Sequence, residues 1–340
     1  MDVALPPTTA SPVSPHPLGK HPLRMAINWF PGHMHVTKKA LIERLKETDV
    51  VIELLDARLP GSSANPMLAE LTGKRPKLKV LNKQDLADPA RTEAWLAWYN
   101  AQPETRAIAL DAGDKAPAQR LIQACRALMP LRSSMDKPLR VVICGIPNVG
   151  KSTLMNTLVG RKAAKTGDEA GITRVEQRIN LASDFYLFDT PGMLWPKILI
   201  EKSGYHLAAS GAVGRNAYDE EEVALELLNS LKGPYADLLV ARYKLPDPAG
   251  IPERHDDELL LQVAKYRGAV MSGGRVNMQK AAEIVINDFR SAALGRITLE
   301  TPEAFTAWRD TAEAAEAERI QAKQAAEQAR RKAFKQPHSD

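Results

Sequence analysis

The sequence has few of the features that mark secreted, zinc-binding or membrane proteins. Its 340 residues include only two cysteines, Cys125 and Cys144, too few and too isolated for a disulfide framework or a zinc site. No apolar run approaches the roughly 20 residues that a membrane-spanning helix requires. The first 25 residues are rich in Pro, Ser and Thr and lack the apolar core of a secretory signal. We therefore expect a cytoplasmic protein without a membrane span.

What the sequence does contain is typical of a globular protein with a slightly basic surface. Hydrophobic residues make up 44% of the chain and charged residues 26%, and the length is enough for two domains. The formal net charge of +5 favours a polyanionic partner without requiring one.

Short apolar runs alternate with helical stretches from residue 26 to about residue 200. The apolar runs at 50–55, 78–81, 107–110, 140–144 and 185–188 predict strands. Their alternation with helical stretches favours a mainly parallel sheet with helices on both faces. Beyond about Lys202 only helical spacing remains, and it predicts five helices. They are Glu220–Leu231, Tyr235–Arg242, Asp257–Arg267, Asn277–Arg290 and a long one from Pro302 to about Lys335. We predict four segments: a flexible leader at 1–25, an α/β domain at 26–200, an all-helical domain at 201–310 and a charged helical tail at 311–340.

The most specific motif is a glycine-rich phosphate-binding loop. Gly145-Ile-Pro-Asn-Val-Gly-Lys-Ser152 satisfies G-x-x-x-x-G-K-[ST] directly after a strand and before a helix. Backbone N–H groups and the helix N-terminus form a cradle for phosphates in such a loop. Lys151 is expected to reach the β- and γ-phosphates and Ser152 to bind Mg²⁺. The residues assigned to the nucleotide are Asn148, Val149, Gly150, Lys151, Ser152 and Thr153.

Two further segments complete the predicted phosphate and metal site. Asp189-Thr-Pro-Gly192 closes a strand, where the carboxylate can hold the Mg²⁺ shell and Gly192 can offer its N–H to the γ-phosphate. Thr173 lies between the two motifs and is placed to close over the γ-phosphate and complete the metal shell.

The tetrapeptide Asn82-Lys83-Gln-Asp85 predicts recognition of guanine. The Asp85 carboxylate can accept from both N1–H and the 2-amino group of guanine, whereas adenine offers neither donor in that arrangement. The N–H of Ala112, at the end of the next strand, could meet the guanine O6. This loop precedes the phosphate loop, whereas ordinary small GTPases have it afterwards, so the motifs are circularly permuted.

Several segments agree, in order, with one known group of proteins: N-W-F-P-G-H-M (28–34), D-A-R-L-P (56–60), N-K-Q-D (82–85), G-I-P-N-V-G-K-S (145–152), A-K-T-G-D-E-A-G-I-T (164–173), D-T-P-G (189–192), D-F-R (288–290) and L-G-R-I-T-L-E (294–300). Together they resemble the ribosome biogenesis GTPase A family of circularly permuted GTPases. The resemblance covers residues 28–300 and implies a P-loop GTPase domain, with a mainly parallel sheet, followed by an all-helical domain. It also implies binding of GTP and GDP with Mg²⁺, and a role in assembly of the large ribosomal subunit through its rRNA. We expect a monomer.

Activation of the attacking water is the least regular feature of the sequence. Many GTPases carry Gln after the D-x-x-G turn, but Met193 stands there and cannot orient water. The resemblance implies that His33 takes part in hydrolysis, although a structural role in a Pro-Gly turn is an alternative. It also implies that Asn148 binds K⁺, which would offset developing phosphate charge. Asp111 departs from the family, in which Ser commonly precedes the guanine-contacting Ala.

The helical domain is the expected output of the nucleotide switch. The loop after Asp189 leads straight into it, so movement near the γ-phosphate has a short covalent path. Its basic residues either contact RNA phosphates or form a solvated helix face. These residues are Arg275, Lys280, Arg290 and Arg296.

Three functions compete on this evidence: an assembly GTPase that is slow alone and stimulated by the ribosomal subunit, an RNA-binding scaffold that turns over GTP negligibly, and a tRNA-modification partner. The intact set of Lys151, Ser152, Thr173 and Asp189 favours the hydrolase over the scaffold. The lack of a cysteine cluster disfavours the modification enzyme.

Overall fold

A computed structural model describes residues 33–111, 116–130, 138–159 and 177–335. Two residues of the predicted site, Ala112 and Thr173, lie outside these ranges, as does the leader. His33 begins the first helix, but its side chain is outside the described part of the chain.

The described strands form one six-stranded sheet in the order β3-β2-β1-β4-β6-β5. Every neighbouring pair is parallel except β5 and β6, which are antiparallel. The prediction of a mainly parallel sheet is therefore confirmed. The strands are β1 (Val50–Asp56), β2 (Lys77–Asn82), β3 (Thr105–Ala109), β4 (Leu139–Gly145), β5 (Gln177–Ala182) and β6 (Phe185–Asp189).

Strand order brings the predicted motifs to one edge of the sheet. Asp56 pairs with Asn82 across β1 and β2, Leu54 pairs with Gly145 across β1 and β4, and Ile143 pairs with Asp189 across β4 and β6. Because parallel strands end on the same side, the loops that follow them meet there.

Eleven α-helices are described, five before β5 and six after β6. They are α1 (His33–Leu45), α2 (Pro66–Thr72), α3 (Pro89–Asn100), α4 (Pro117–Leu128), α5 (Lys151–Val159), α6 (Glu201–Ser210), α7 (Glu220–Leu231), α8 (Ala236–Tyr243), α9 (Asp256–Tyr266), α10 (Met278–Arg290) and α11 (Pro302–Lys335).

The later helices pack around α10 and confirm an all-helical C-terminal region. The α10 helix packs against α6, α7 and α9, and the apolar face of α10 buries Val285, Ile286 and Phe289. One apolar core continues from the sheet into these helices, so the boundary at residue 200 stays a prediction. No helix in the described part of the chain is both long and apolar enough to cross a membrane.

The central strands also contain a buried ion pair. Glu53 of β1 lies opposite Lys79 of β2, and their side chains are in direct contact. The other oxygen of Glu53 accepts from the backbone N–H of Asn65, at 2.7 Å, and Asn65 caps the N-terminus of α2. The pair thus fixes the loop after β1 as well as the sheet.

The first turns of α11 cover the outer face of the sheet domain. Phe305 packs on Trp95 of α3, with ring centroids 5.9 Å apart, and sits so close to Gly61 that an added Cβ would lie 2.5 Å from its ring. Beyond Glu316, the described side chains of α11 are exposed. This helix is therefore anchored at one end only.

Candidate nucleotide-binding site

The two loops that were predicted to hold opposite ends of a nucleotide lie side by side. The Asn82 amide donates to the backbone oxygen of Val149 at 2.9 Å, and the Lys83 ammonium donates to that of Asn148 at 2.8 Å. The guanine loop and the phosphate loop are therefore joined directly, although α3, β3, α4 and β4 separate them in sequence. Their roles as ligands of the nucleotide stay predictions.

The backbone of the phosphate loop requires glycine at one position. Gly150 has φ of +94°, and a Cβ built there would lie 2.4 Å from the Asn82 amide nitrogen. A side chain would therefore be strained and would also displace Asn82. Asn148 has φ of +56° as well, a conformation that Asn tolerates better than most residues.

A buried ion pair occupies the phosphate end of the site. The Lys151 ammonium lies 2.5 Å from Asp189 Oδ1, and these residues are 5% and 1% exposed. Burial raises the pKa of Asp189, and the charge of Lys151 partly offsets that rise. Ser152, in the first turn of α5, is half-buried, and Thr153 is exposed.

The donor set at this end suits Mg²⁺. The Asp189 carboxylate and the Ser152 hydroxyl are hard oxygen ligands of the kind that Mg²⁺ prefers, and the nearby Lys151 compensates the carboxylate charge. Among the described residues, no group of three or more His, Cys, Asp or Glu side chains is placed to hold a metal ion, so a site of this kind would depend on phosphate oxygens and water as well.

The segment after Asp189 lies directly on the phosphate loop. A Cβ on Gly192 would lie 3.1 Å from Pro147 Cα, and the Met193 N–H donates to the backbone oxygen of Gly145 at 3.0 Å. The Asn65 amide in turn donates to the Met193 oxygen at 3.1 Å. Met193 is 3% exposed, so it belongs to the core.

The C-terminal part of the chain donates hydrogen bonds to the predicted guanine loop. Lys83 has φ of +62°, and Asp85 is exposed within the short 3₁₀ turn Gln84–Leu86. Arg296 donates to the backbone oxygens of Gln84 and Ala87, both at 2.8 Å. The Gln84 amide donates to Asp111 at 2.8 Å, so the residue that departs from the family pattern ties the two base loops together.

Comparisons with known proteins identify relatives of this chain. A family model described as a 50S ribosome-binding GTPase matches residues 140–230. A ribosome biogenesis GTPase A from Bacillus cereus is 40% identical over 288 residues, which cover 83% of this chain and 96% of that protein. The ribosome biogenesis GTPase A of Bacillus pumilus is 40% identical over 286 residues, which cover 82% of this chain and 100% of that protein.

The chain belongs to the ribosome biogenesis GTPase A family. Membership confirms the resemblance seen in the motifs and makes the protein a GTPase. A mitochondrial ribosome-associated GTPase 1 from Mus musculus is also 33% identical over 291 residues, covering 80% of this chain and 89% of that protein. A GNP-bound YlqF from T. maritima has the same fold, with a TM-score of 0.56 and 22% identity over 78% of this chain and 98% of that one.

Two buried residues of this family member were not predicted as parts of the site. Asp56 and Arg58 are 1% and 2% exposed, and Asp56 accepts from Lys83 at 2.9 Å. The D-A-R-L-P motif had contributed only to the resemblance. A charged residue at the end of a largely apolar strand was the available signal, but it could not reveal that β1 lies between the strands bearing the two nucleotide loops.

The four basic residues predicted for RNA contact fall into two groups. Arg290 donates to the oxygens of Ala208 and Ala209, both at 2.8 Å, and Arg296 holds the guanine loop. The guanidinium groups of these two residues have internal hydrogen-bond partners, and RNA contact through them stays a prediction. Arg275 and Lys280 are exposed and remain candidates.

Proposed function

We propose that this GTPase acts in assembly of the large ribosomal subunit, with its helical domain contacting rRNA through Arg275 and Lys280. The observation that carries the proposal is the direct contact of the guanine loop with the phosphate loop, Asn82 to Val149 and Lys83 to Asn148. That contact supports one guanine nucleotide held at both ends. The names of the Bacillus and mouse relatives support a ribosomal partner. We further propose a cytoplasmic monomer.

The proposed roles divide between the two ends of the nucleotide. Asn82, Lys83, Asp85 and Ala112 would hold the base, while residues 148–153 and Gly192 would hold the phosphates. Mg²⁺ would be held by Ser152, Thr173 and Asp189, and would neutralise phosphate charge. When the nucleotide binds, the Lys151 ammonium would leave Asp189 and contact the β- and γ-phosphates instead.

Orientation of the water is assigned to groups other than Met193, which is buried. His33 lies in the segment that the family resemblance implicates in hydrolysis, and its imidazole could orient or deprotonate water near neutral pH. The amide oxygen of Asn148 is the group that would bind K⁺, while the amide nitrogen donates to the backbone oxygen of Gly211 at 2.8 Å.

The competing functions make different use of the phosphate end. A scaffold that holds GTP without turnover has no need for the buried pair of Lys151 and Asp189 beside a half-buried Ser152, since a buried ion pair brings little stability by itself. The hydrolase is therefore preferred over the scaffold, and no described residue cluster favours tRNA modification.

The deciding experiment measures GTP turnover by the full chain, with and without purified large ribosomal subunits, in K⁺ and in Na⁺. We expect slow turnover alone and at least tenfold stimulation by large subunits, greater in K⁺. Small subunits serve as the control. Equal rates in all conditions would leave the scaffold as the better description.

His33→Ala is included in the same assay, with His35→Ala as its matched control from the same segment. We expect the first variant to lose stimulated turnover by about 10²-fold with GDP affinity unchanged. A wild-type rate for His33→Ala would return this residue to a structural role.

A further inference from the structure

A closed series of polar contacts runs from the nucleotide loops into the helical region and back. We name it the junction circuit. Except for one buried carboxylate, its members line a cavity of about 690 Å³ beside the phosphate loop. The members are Asp56, Arg58, Lys83, Asn148, Gly211 and Arg290.

The sheet side of the junction circuit is centred on Asp56. Arg58 donates to both of its oxygens, from Nε at 2.9 Å and from Nη2 at 2.8 Å. Lys83 donates to Oδ2 at 2.9 Å and, from the same ammonium, to the Asn148 backbone oxygen. Asp56 therefore fixes the position of the lysine that joins the two nucleotide loops.

The helical side of the circuit consists of two helix ends. Arg58 Nη1 donates to the backbone oxygens of Phe289 and Arg290, at 3.4 and 3.3 Å, at the end of α10. The Arg290 side chain then donates to the oxygens of Ala208 and Ala209 in the last turn of α6. Carbonyls of a last helical turn lack intrahelical partners and carry partial negative charge, so guanidinium groups stabilise both ends.

The circuit closes at the phosphate loop. Gly211, which ends α6 with φ of +86°, accepts from the Asn148 amide at 2.8 Å. The backbone oxygen of Asn148 thus accepts a hydrogen bond from Lys83, and the side-chain amide of Asn148 donates one to the residue that ends α6. A residue predicted to contact the nucleotide is also the contact between the phosphate loop and the helical region.

The charged members of the junction circuit depend on one another. Burial alone would raise the pKa of Asp56, but the charges and hydrogen bonds of Arg58 and Lys83 outweigh it and hold that pKa well below its usual range. Burial also lowers the pKa of Lys83, and Asp56 partly offsets this effect. Each buried charge needs its partners, so moving one member disturbs the others.

We propose that Asp56, Arg58 and Arg290 are positioning residues that couple nucleotide binding to docking of α6 and α10. The inference rests on the proposed function and adds a non-covalent route to the covalent one after Asp189. A nucleotide that fixes Lys83 and the phosphate loop favours the docked helix ends. By linkage, docking of those ends raises nucleotide affinity by the same factor.

The test uses the full chain and the variant Arg290→Gln, with GDP as the ligand. The readouts are the GDP dissociation constant and hydrogen exchange of backbone amides at residues 207–212 and 148–152. Arg242→Gln is the matched control, because Arg242 donates to Asp288 of α10 at 2.9 and 2.7 Å but lies outside the circuit. Arg290→Lys keeps a cation at the end of α6 and guards against misfolding of the first variant.

In the wild-type chain and in Arg242→Gln, GDP should slow exchange at both segments. In Arg290→Gln, protection of 148–152 should persist while the response of 207–212 falls at least fivefold, and the GDP dissociation constant should rise about fivefold. Arg290→Lys should give intermediate values.

Two results would overturn the circuit while leaving the proposed function intact. One is a wild-type response of 207–212 in Arg290→Gln. The other is an equal loss in Arg242→Gln, which would indicate general loosening of α10. Failure of GDP to protect 148–152 in the wild-type chain would overturn the proposed function and the circuit together.

Discussion

Single residues in this site are constrained by backbone geometry and by close approach more than by side-chain chemistry. Gly150 and Asn82 show this, because the amide that joins the loops occupies the space in which a Cβ on Gly150 would lie. The phosphate-loop motif by itself already requires a glycine at position 150. The contact with Asn82 adds a second reason, which is specific to a site assembled from two loops.

Gly150→Ala should therefore weaken GDP binding at least tenfold, about 1.4 kcal/mol, because the new methyl group displaces Asn82 from Val149. Isothermal titration with GDP measures the effect. Gly233→Ala is the matched control, since a Cβ there meets nothing within 4 Å, and its affinity should match the wild type. A Gly150→Ala affinity within twofold of wild type would contradict this account of the loop contact.

At the scale of elements, a short helix is joined to the chain segment that leaves the phosphate end of the site. The α2 helix is capped by Asn65, whose side-chain oxygen accepts from the N–H groups of Met67 and Leu68 at 3.0 and 3.3 Å. The same side chain donates to Met193, in the segment after Asp189. One buried amide thus fixes a helix start and the chain that leaves the phosphate site.

Asn65→Ala should lower the free energy of unfolding by about 2–4 kcal/mol, the sum of a lost N-cap and an unsatisfied buried carbonyl. Asp219→Ala, which removes the exposed N-cap of α7, should cost only about 1 kcal/mol. Urea denaturation measures both, with unchanged m values. Equal losses in the two variants would argue against a stabilising contact with Met193.

The whole molecule is held together by the C-terminal part of the chain, which returns to the sheet domain. Glu300 accepts from the N–H of Ser62 at 2.7 Å and lies 3.0 Å from His206 Nδ1, and the Trp95 indole donates to the Glu300 backbone oxygen at 3.0 Å. These contacts join the loop after β1, α3 and α6. The sheet domain is therefore completed by residues from the far end of the sequence.

A chain that ends at Lys323 should keep its stability within about 0.5 kcal/mol, because the described side chains beyond Glu316 are exposed. A chain that ends at Thr301 should lose about 3–5 kcal/mol, since the Phe305 ring no longer packs on Trp95. Thermal unfolding compares the two. Comparable melting temperatures would show that α11 does not support the fold.

Local sequence determined much of the architecture. The spacing of apolar residues predicted helices at Glu220–Leu231 and Pro302–Lys335 with the bounds that the structure has, because amphipathic periodicity is a local property. It missed α6, whose residues from Ser203 to Ser210 are all buried, so no polar face marks the helix. It also missed β5, an edge strand with polar residues.

The sequence by itself determined the identities of the nucleotide motifs, since a glycine-rich turn after a strand is a local pattern with a local physical cause. Only the tertiary structure decided which groups surround them. The sequence predicted only RNA or solvent contact for Arg290 and Arg296, and the structure adds hydrogen bonds from both to backbone carbonyls beside the site. The partner of a buried charge depends on strand order and on helix ends that are distant in sequence, and no local pattern contains that information.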